Sequence, residues 1–328
     1  MNFNIFDKIN KSNSKKAIRY LFECNNIVHQ SIIIYQLSQF LNNIEILTNL
    51  RSFIFENSNK ITSDGNCLDT CGTGGDGLKT LNISTTVALL LASVGVPIAK
   101  HGNRAASSSS GSSDIINELK IICTNDAKIN LQQLKKNNFT YLNAPLFYPN
   151  LGQVAEVRRL IGKKTIFNYM GPTLNPMSAK YQLLGTTDEF SSKVIANILM
   201  NIKLNNFNVF YSKDGLDEIS IFAPTVFYTN INKRLVKKEI KPNTFKKFLC
   251  HIPNFKQILG KDPKYNANRL LELFNGKKDS YRDIVIINSI YGMLTYNKKL
   301  KFDECYEILT NALDKGVAYS HLTKLQSK

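Results

Sequence analysis

Apolar residues recur at three- and four-residue spacing through Ile27, Ile32, Ile33, Leu37, Phe40, Leu41 and Ile44, and neither Pro nor Gly occurs before Gly65. A helical period without turn punctuation predicts a small helical N-terminal domain over residues 1–65. At Gly65 the pattern changes. A short run ending at Leu68 leads into a glycine loop, followed by a strongly helical stretch from about 82 to 94. The apolar run 96–99 then reads as a buried strand, and a helix is predicted near 114–119. Segments 121–123, 165–168 and 207–211 read as further strands, and helical runs at 283–296 and 302–313 follow. Strand, small-residue loop, helix, strand is the signature of an α/β fold with a mainly parallel sheet. The expected division is 1–65, joined by part of 148–170, against an α/β domain over 66–328.

Composition narrows the function classes. The longest largely apolar stretch, 86–99, contains Gly95 and Pro97 and spans about 14 residues where a bilayer needs about 20, so no membrane partner is expected. Residues 1–18 lack the apolar core of a secretory signal. Six cysteines are too few for a disulfide scaffold, and the CxxxC spacing of Cys67 and Cys71 fits neither a zinc knuckle nor a thioredoxin motif. Reduced thiols in a cytoplasmic protein are expected. The net charge of +17 raises a nucleic-acid surface as a reading. However, Lys supplies 34 of the 42 basic residues and Arg only 8, while Lys, Asn and Ile together make about a third of the chain. Base readout and bidentate phosphate contacts favour Arg. General compositional drift therefore accounts for the charge better than a dedicated nucleic-acid surface, and an anionic small-molecule substrate suits either.

Four elements could carry chemistry. The stretch Asp69-Thr70-Cys71-Gly72-Thr73-Gly74-Gly75-Asp76-Gly77 concentrates four glycines in six positions. That fits a loop whose amides approach an anion at a helix N-terminus, with Asn82-Ile83-Ser84-Thr85 supplying the N-cap and the helix start; a tight turn with an ordinary cap fits it too. It is neither a Rossmann fingerprint nor a Walker loop. Lys100-His101-Gly102-Asn103-Arg104 sits after a predicted strand and runs into the small residues 105–113. Two such loops after successive strands suggest a ligand with more than one phosphate. Asp214-Gly215-Leu216-Asp217-Glu218 offers hard oxygens for Mg²⁺, although alone it reads first as a solvated turn. Finally, Arg158 or Arg159 could hold a carboxylate bidentately, or lie on a helix surface.

Taken together, and in this order, these motifs resemble anthranilate phosphoribosyltransferases: the Gly-Thr-Gly-Gly-Asp loop, the Asn-Ile-Ser-Thr helix start, Lys-His-Gly-Asn-Arg before a serine run, an Arg-Arg helix, a Gly-Pro…Asn-Pro turn at 171–176 and an Asp-Glu pair. The resemblance spans nearly the whole chain. It implies a small helical domain joined to a larger α/β domain with a mainly parallel sheet, as in nucleoside-phosphorylase-like phosphoribosyltransferases, usually a homodimer. It also implies transfer of phosphoribosyl from phosphoribosyl pyrophosphate to the amino group of anthranilate, on the way to tryptophan. By the same resemblance Gly72, Gly75, Asp76, Thr80, Asn82, Ile83, Ser84, Thr85, Lys100, His101, Gly102, Asn103, Arg104, Ala105, Ala106, Ser107, Ser108 and Ser112 would line the phosphoribosyl pyrophosphate site. Ser84, Asp217 and Glu218 would hold Mg²⁺, and Gly72, Asn103 and Arg158 would contact anthranilate, Arg158 through its carboxylate. No protein nucleophile or strong general base is implied, because the aniline nitrogen is already unprotonated at neutral pH.

The chain departs from the family pattern in three places. Thr173 stands where the turn usually has Leu, Tyr148 where a His usually precedes the Pro, and the N-terminal region lacks a Lys-Gly-Glu stretch. These bear on the anthranilate pocket and the domain hinge, and leave the phosphate loops untouched. Pyrimidine-nucleoside phosphorylases share the implied architecture, but the Lys-His-Gly-Asn-Arg segment speaks against them. A non-catalytic, nucleic-acid-binding relative is disfavoured by the presence of Arg158, Asn103 and the Asp217–Glu218 pair.

Overall fold

Five short runs that are buried almost throughout form parallel strands, as expected where both faces of a sheet are covered. The computed structural model describes residues 4–5, 7–75, 77–103 and 110–326. The strands are β1 (Leu68–Gly72), β2 (Ile98–Gly102), β3 (Phe139–Asn143), β4 (Tyr181–Gly185), β5 (Asn206–Ser212), β6 (Thr225–Ile231) and β7 (Arg234–Ile240), ordered β3-β2-β1-β4-β5-β6-β7. The first five are mutually parallel, and β6 and β7 add antiparallel. The β6–β7 hairpin turns on Asn232 and Lys233, both with positive φ, which matches the twist of the strands they join.

Helices α1 (Ser14–Glu23), α2 (Ile27–Ser38) and α3 (Ile44–Glu56) precede the sheet, and α4 (Ile83–Ser93), α5 (Ser112–Glu118) and α6 (Ala127–Asn137) lie between its first strands. Short helices α7 (Ala144–Phe147), α8 (Pro149–Gln153), α9 (Ala155–Ile161) and α10 (Ile166–Met170) follow β3, and α11 (Glu189–Asn201) joins β4 to β5. The chain continues with α12 (Pro263–Phe274), α13 (Ser280–Tyr296), α14 (Phe302–Asp314) and α15 (Val317–Leu325). Each face of the sheet has its own core. On one, α4, α13, α14 and α15 pack over Leu68, Ile98 and Leu183. On the other, Ile33, Leu37, Leu50 and Ile54 of α2 and α3 join Val157, Phe167, Met170 and Ile195 over Cys71, Ala99 and Leu184.

Two predicted strands are absent. Residues 165–168 instead open helix α10, because the Asn168 side chain takes the Thr165 amide at 2.9 Å and caps the turn. A four-residue apolar run carries too little period to tell the two apart. Residues 121–123 form no strand; after Lys120, at positive φ, Ile121 and Cys123 make isolated bridges to Gln326 and Tyr141. Strands β3, β4, β6 and β7 lie outside the predicted ones.

Candidate active site at the carboxyl end of the sheet

The site begins with two missing side chains. Gly72 and Gly185 end β1 and β4 and face each other in register. A Cβ on Gly72 would stand 2.4 Å from Asp217 Oδ2, and one on Gly185 only 1.6 Å from the Asp217 carbonyl oxygen. The bare pair lets the segment after β5 settle onto the strand ends. From there Asp217 Oδ2 accepts from the Gly74 amide at 3.0 Å, and Glu218 Oε1 accepts from the Ser84 amide at 3.0 Å. The Asp214–Glu218 element is therefore no solvated turn: Glu218 is 7% exposed.

This arrangement corrects the expected cap. Asn82 occupies the N-cap position of α4 but makes no capping bond. Its amide instead donates to the Ser110 carbonyl at 3.0 Å and its oxygen accepts from Asn266 at 2.9 Å. A carboxylate from 134 residues away does the capping, where the positive end of the helix dipole favours it. Ile83 and Thr85 are buried in the helix start, and Thr80 bridges to Leu259. Gly74, Gly75 and Gly77 all have positive φ, the conformation that makes glycine the residue of choice in this loop. Asp76 lies outside the described residues, as do Arg104, Ala105, Ala106, Ser107 and Ser108.

Lys100 and His101 belong to β2 itself, so they point to opposite faces of the sheet and do not sit together beyond its end. Lys100 is 2% exposed; its Nζ donates to the Thr70 carbonyl and reaches Ser84 Oγ at 3.4 Å. Burial pushes its pKa down, and the nearby carboxylates of Asp69, Glu218 and Asp217 oppose that. A buried ammonium thus stands beside the α4 N-terminus and the carboxylate pair. Gly102, next in β2, allows Ser112 and Tyr141 to close over the backbone: an added Cβ would lie 2.1 Å from Ser112 Oγ. Asn103 follows, and its carbonyl accepts from the Ser113 amide at 3.2 Å.

His101 turns away from this crevice. Its Nδ1 meets Asp69 Oδ2 at 2.5 Å and its Nε2 meets the Gly171 carbonyl at 3.1 Å. A carbonyl oxygen only accepts, so Nε2 carries a proton. Asp69 also accepts from the His101 amide at 3.1 Å and from Gln182 Nε2 at 3.1 Å, as an ionised carboxylate does. Nδ1 therefore donates too, and the ring is an imidazolium. Burial would push its pKa down, but Asp69 overrides this and raises it; burial would raise the pKa of Asp69, and His101 lowers it. Gln182 Nε2 further donates to the Pro172 carbonyl at 2.6 Å. Three strands thereby grip the Gly171–Thr173 turn from behind the crevice, a network that no short motif announces. Asp69, Cys71 and His101 also bring potential metal donors within 4.8 Å of one another. They suit Mg²⁺ poorly: the acid and the imidazolium are committed to each other, and burial drives the Cys71 thiol pKa well up.

Of the two adjacent arginines, only Arg158 is partly buried. It stacks over the Phe167 ring at 5.2 Å and, among the described residues, has no carboxylate partner. Burial pushes its pKa down with no offsetting anion. Arg159 is exposed. Tyr148, at the unusual position, is buried and donates to the Leu174 carbonyl at 3.0 Å, and Thr173 donates to the Met170 carbonyl at 2.7 Å. Both departures from the family pattern tie the 170–174 segment to its surroundings.

Residues 64–319 match the family model described as glycosyl transferase family, a/b domain. The chain is 36% identical to the anthranilate phosphoribosyltransferase of Pelagibacter ubique, covering 84% of this chain and 82% of that protein. It is 34% identical to that of Caldanaerobacter subterraneus, over 86% and 83%. Among solved structures, the anthranilate phosphoribosyltransferase of Thermus thermophilus superposes with a TM-score of 0.86 at 25% identity, covering 97% of this chain and 95% of that one. The Saccharomyces cerevisiae enzyme, solved in complex with phosphoribosyl pyrophosphate and Mg, superposes with a TM-score of 0.84 at 21% identity, over 96% and 91%.

Proposed function

The chain belongs to the anthranilate phosphoribosyltransferase family, and from that premise we propose which of its residues carry the transfer of phosphoribosyl from phosphoribosyl pyrophosphate to anthranilate. The bond from ribose C1 to pyrophosphate oxygen breaks, a bond from C1 to the anthranilate nitrogen forms, and that nitrogen then loses a proton. Positive charge grows on the sugar and negative charge on the leaving group. Catalysis by positioning and charge neutralisation suffices.

The observation that carries the assignment is the meeting of Lys100, Ser84, Asp217 and Glu218 at the N-terminus of α4 beside the glycine loop. Amides of the glycine loop and of α4, aimed by the helix dipole, hold the phosphates, and the Lys100 ammonium adds a full charge. Asp217, Glu218 and Ser84 form an all-oxygen donor set, which suits Mg²⁺. An ion held by these residues would supply charge neutralisation for the leaving pyrophosphate. Arg158 pairs the anthranilate carboxylate, with Asn103 and Gly72 beside the ring; a partly buried guanidinium lacking an acid supports that role. His101 serves from behind the sheet, holding the Gly171–Thr173 turn.

We also read the protein as a cytoplasmic homodimer of two domains, 1–65 with part of 148–170 and 66–328. Among the described residues no helix is long and apolar enough to cross a membrane. All six cysteines are free. Val28 and Tyr35 of α2 and Leu160 of α9 expose apolar surface, which supports self-association there. Sedimentation at micromolar protein tests the dimer. Loss of anthranilate fluorescence on adding phosphoribosyl pyrophosphate and Mg²⁺ tests the reaction; no loss in the complete mixture would overturn it.

A further inference from the structure

A cavity of about 310 Å³ lies on the helical side of the sheet, bounded by α3, the 173–180 segment and the end of α11. It is at the opposite end of the strands from the catalytic crevice. Lys180 immediately precedes β4 and Lys203 lies just before β5, whereas the crevice sits past Gly185. A strand of that length separates the two by about 13 Å. A cavity of that volume is at the lower end of the range that takes a small organic molecule, about 300–1,000 Å³.

The lining is amphipathic and cationic. Leu199, Leu204 and the Phe55 ring supply apolar walls, and Lys180 and Lys203 stand exposed at the rim. Arg51, partly buried, contributes the inner cation. Its Nε donates to the Thr173 carbonyl at 3.1 Å and its guanidinium stacks over Phe55 at 5.2 Å. Among the described residues no carboxylate pairs with Arg51, Lys180 or Lys203. Asp69 reaches the cavity, but its charge is matched by the His101 imidazolium. Burial pushes the Arg51 pKa down, the sign of a cation taken out of water. An anion beside the guanidinium would offset that cost.

We propose that this cavity is a second ligand site, which takes a small carboxylate with a flat apolar body: the carboxylate on the guanidinium of Arg51 within reach of Lys180 and Lys203, the body against Phe55, Leu199 and Leu204. A planar fork meeting a carboxylate is the arrangement for which arginine is suited. The site also touches the machinery gripped by His101, because the Thr173 carbonyl that Arg51 holds belongs to the same Gly171–Thr173 turn.

The probe is phenylacetate, titrated by NMR and by thermal shift into the full-length protein carrying Arg158→Ala, which removes the carboxylate partner in the catalytic site. Binding at one site with submillimolar Kd is expected. Adding Arg51→Gln should weaken it about tenfold or more, the usual effect of losing one charge-assisted pair. Lys203→Gln, at an exposed position that leaves folding alone, should weaken it about two- to fivefold. Neutral phenylacetamide and inorganic phosphate should bind far less well, the first lacking the charge and the second the apolar body. Unchanged affinity in both the Arg51 and Lys203 variants would overturn the proposal. So would absence of binding to the Arg158→Ala protein at 10 mM phenylacetate, a concentration roughly tenfold above the expected range. Equal binding of phosphate would overturn the assignment of the ligand class. None of these readouts depends on turnover, so they separate from a failure of the catalytic reading.

Discussion

Replacing Gly185 by Ala adds one methyl group at the end of β4, yet it should disable the site. Gly185 has ordinary backbone angles, so the substitution carries no conformational strain of its own. The added Cβ would stand 1.6 Å from the Asp217 carbonyl oxygen and 2.5 Å from its carbon, both backbone atoms that cannot rotate aside. Ordinary contact begins near 3.4 Å, so the Asp217 segment must retreat by about 1.8 Å. That breaks the reach of Asp217 to Gly74 and of Glu218 to Ser84, each a 3.0 Å bond. Misplacing a catalytic constellation by about 1 Å costs on the order of a hundredfold in rate. We therefore expect kcat to fall by about a hundredfold or more and the Mg²⁺ concentration for half-maximal rate to rise. Overpacking should cost stability by about 1–3 kcal/mol. Initial rates from anthranilate fluorescence across a Mg²⁺ series, with melting curves beside them, give both quantities. Gly152→Ala is the control, because a Cβ there meets nothing within 4 Å. A Gly185→Ala enzyme with normal kcat and normal Mg²⁺ dependence would refute the placement of the Asp217–Glu218 segment in the site.

Other expectations follow from the same geometry. Arg158→Ala should raise KM for anthranilate about ten- to hundredfold and leave that for phosphoribosyl pyrophosphate nearly unchanged, with Arg158→Lys recovering only part; a defect in Arg159→Ala instead would move the assignment by one residue. Asp217→Asn combined with Glu218→Gln should weaken activity most at low Mg²⁺, and full activity there would remove the pair from the metal site. The His101–Asp69 pair stabilises the fold in a defined pH window. His101 has a raised pKa, so its contribution is complete below its ordinary 6.5 and fades as pH rises through the raised value; Asp69 has a lowered pKa, so its contribution is complete above 3.8 and fades as pH falls through the lowered value. The Tm difference between wild type and His101→Gln should therefore shrink on going alkaline, and a difference that grows would contradict the imidazolium. Duplex DNA at physiological salt should bind no tighter than about 10⁻⁶ M, as non-specific contact does, and a submicromolar Kd would mean that the basic surface has a use of its own.

The sequence made the local chemistry legible and left the long-range geometry hidden. The glycine loop, the α4 start and the alternation of β1, α4 and β2 could be read because each is set by neighbours within a few residues. The role of Glu218 as the cap of α4 could not, since its partner is 134 residues away and Asn82 already looked like a cap. Lys100 and His101 read as a loop cluster because they precede Gly-Asn; their split across the two faces of β2 follows from strand pleating once the strand is known to extend to Gly102. Segment 165–168 was ambiguous for the opposite reason, since its apolar run is short and the decisive bond from Asn168 is a capping contact. Arg51 carried no signal at all, being an isolated arginine in an Asn-rich helical region.

The two margins of the sheet are finished differently, and this governs how the protein behaves in a crowded solution. Along β3, the bridge that Cys123 makes to Tyr141 lays backbone against that side, and neighbouring Ile121 is itself bridged to Gln326. Along β7, by contrast, Arg234, Lys237 and Lys238 are exposed. A bare strand margin is a template for adding strands from other copies, and lysine is a common deterrent because stacking copies would align like charges. Lys237 is paired with Glu189, so among the described residues the unpaired charge on this margin is that of Arg234 and Lys238, and part of the charge that looked like compositional drift sits where it deters strand addition. Neutralising Arg234 and Lys238 together would open a route to fibrous aggregation without touching any residue of the catalytic crevice.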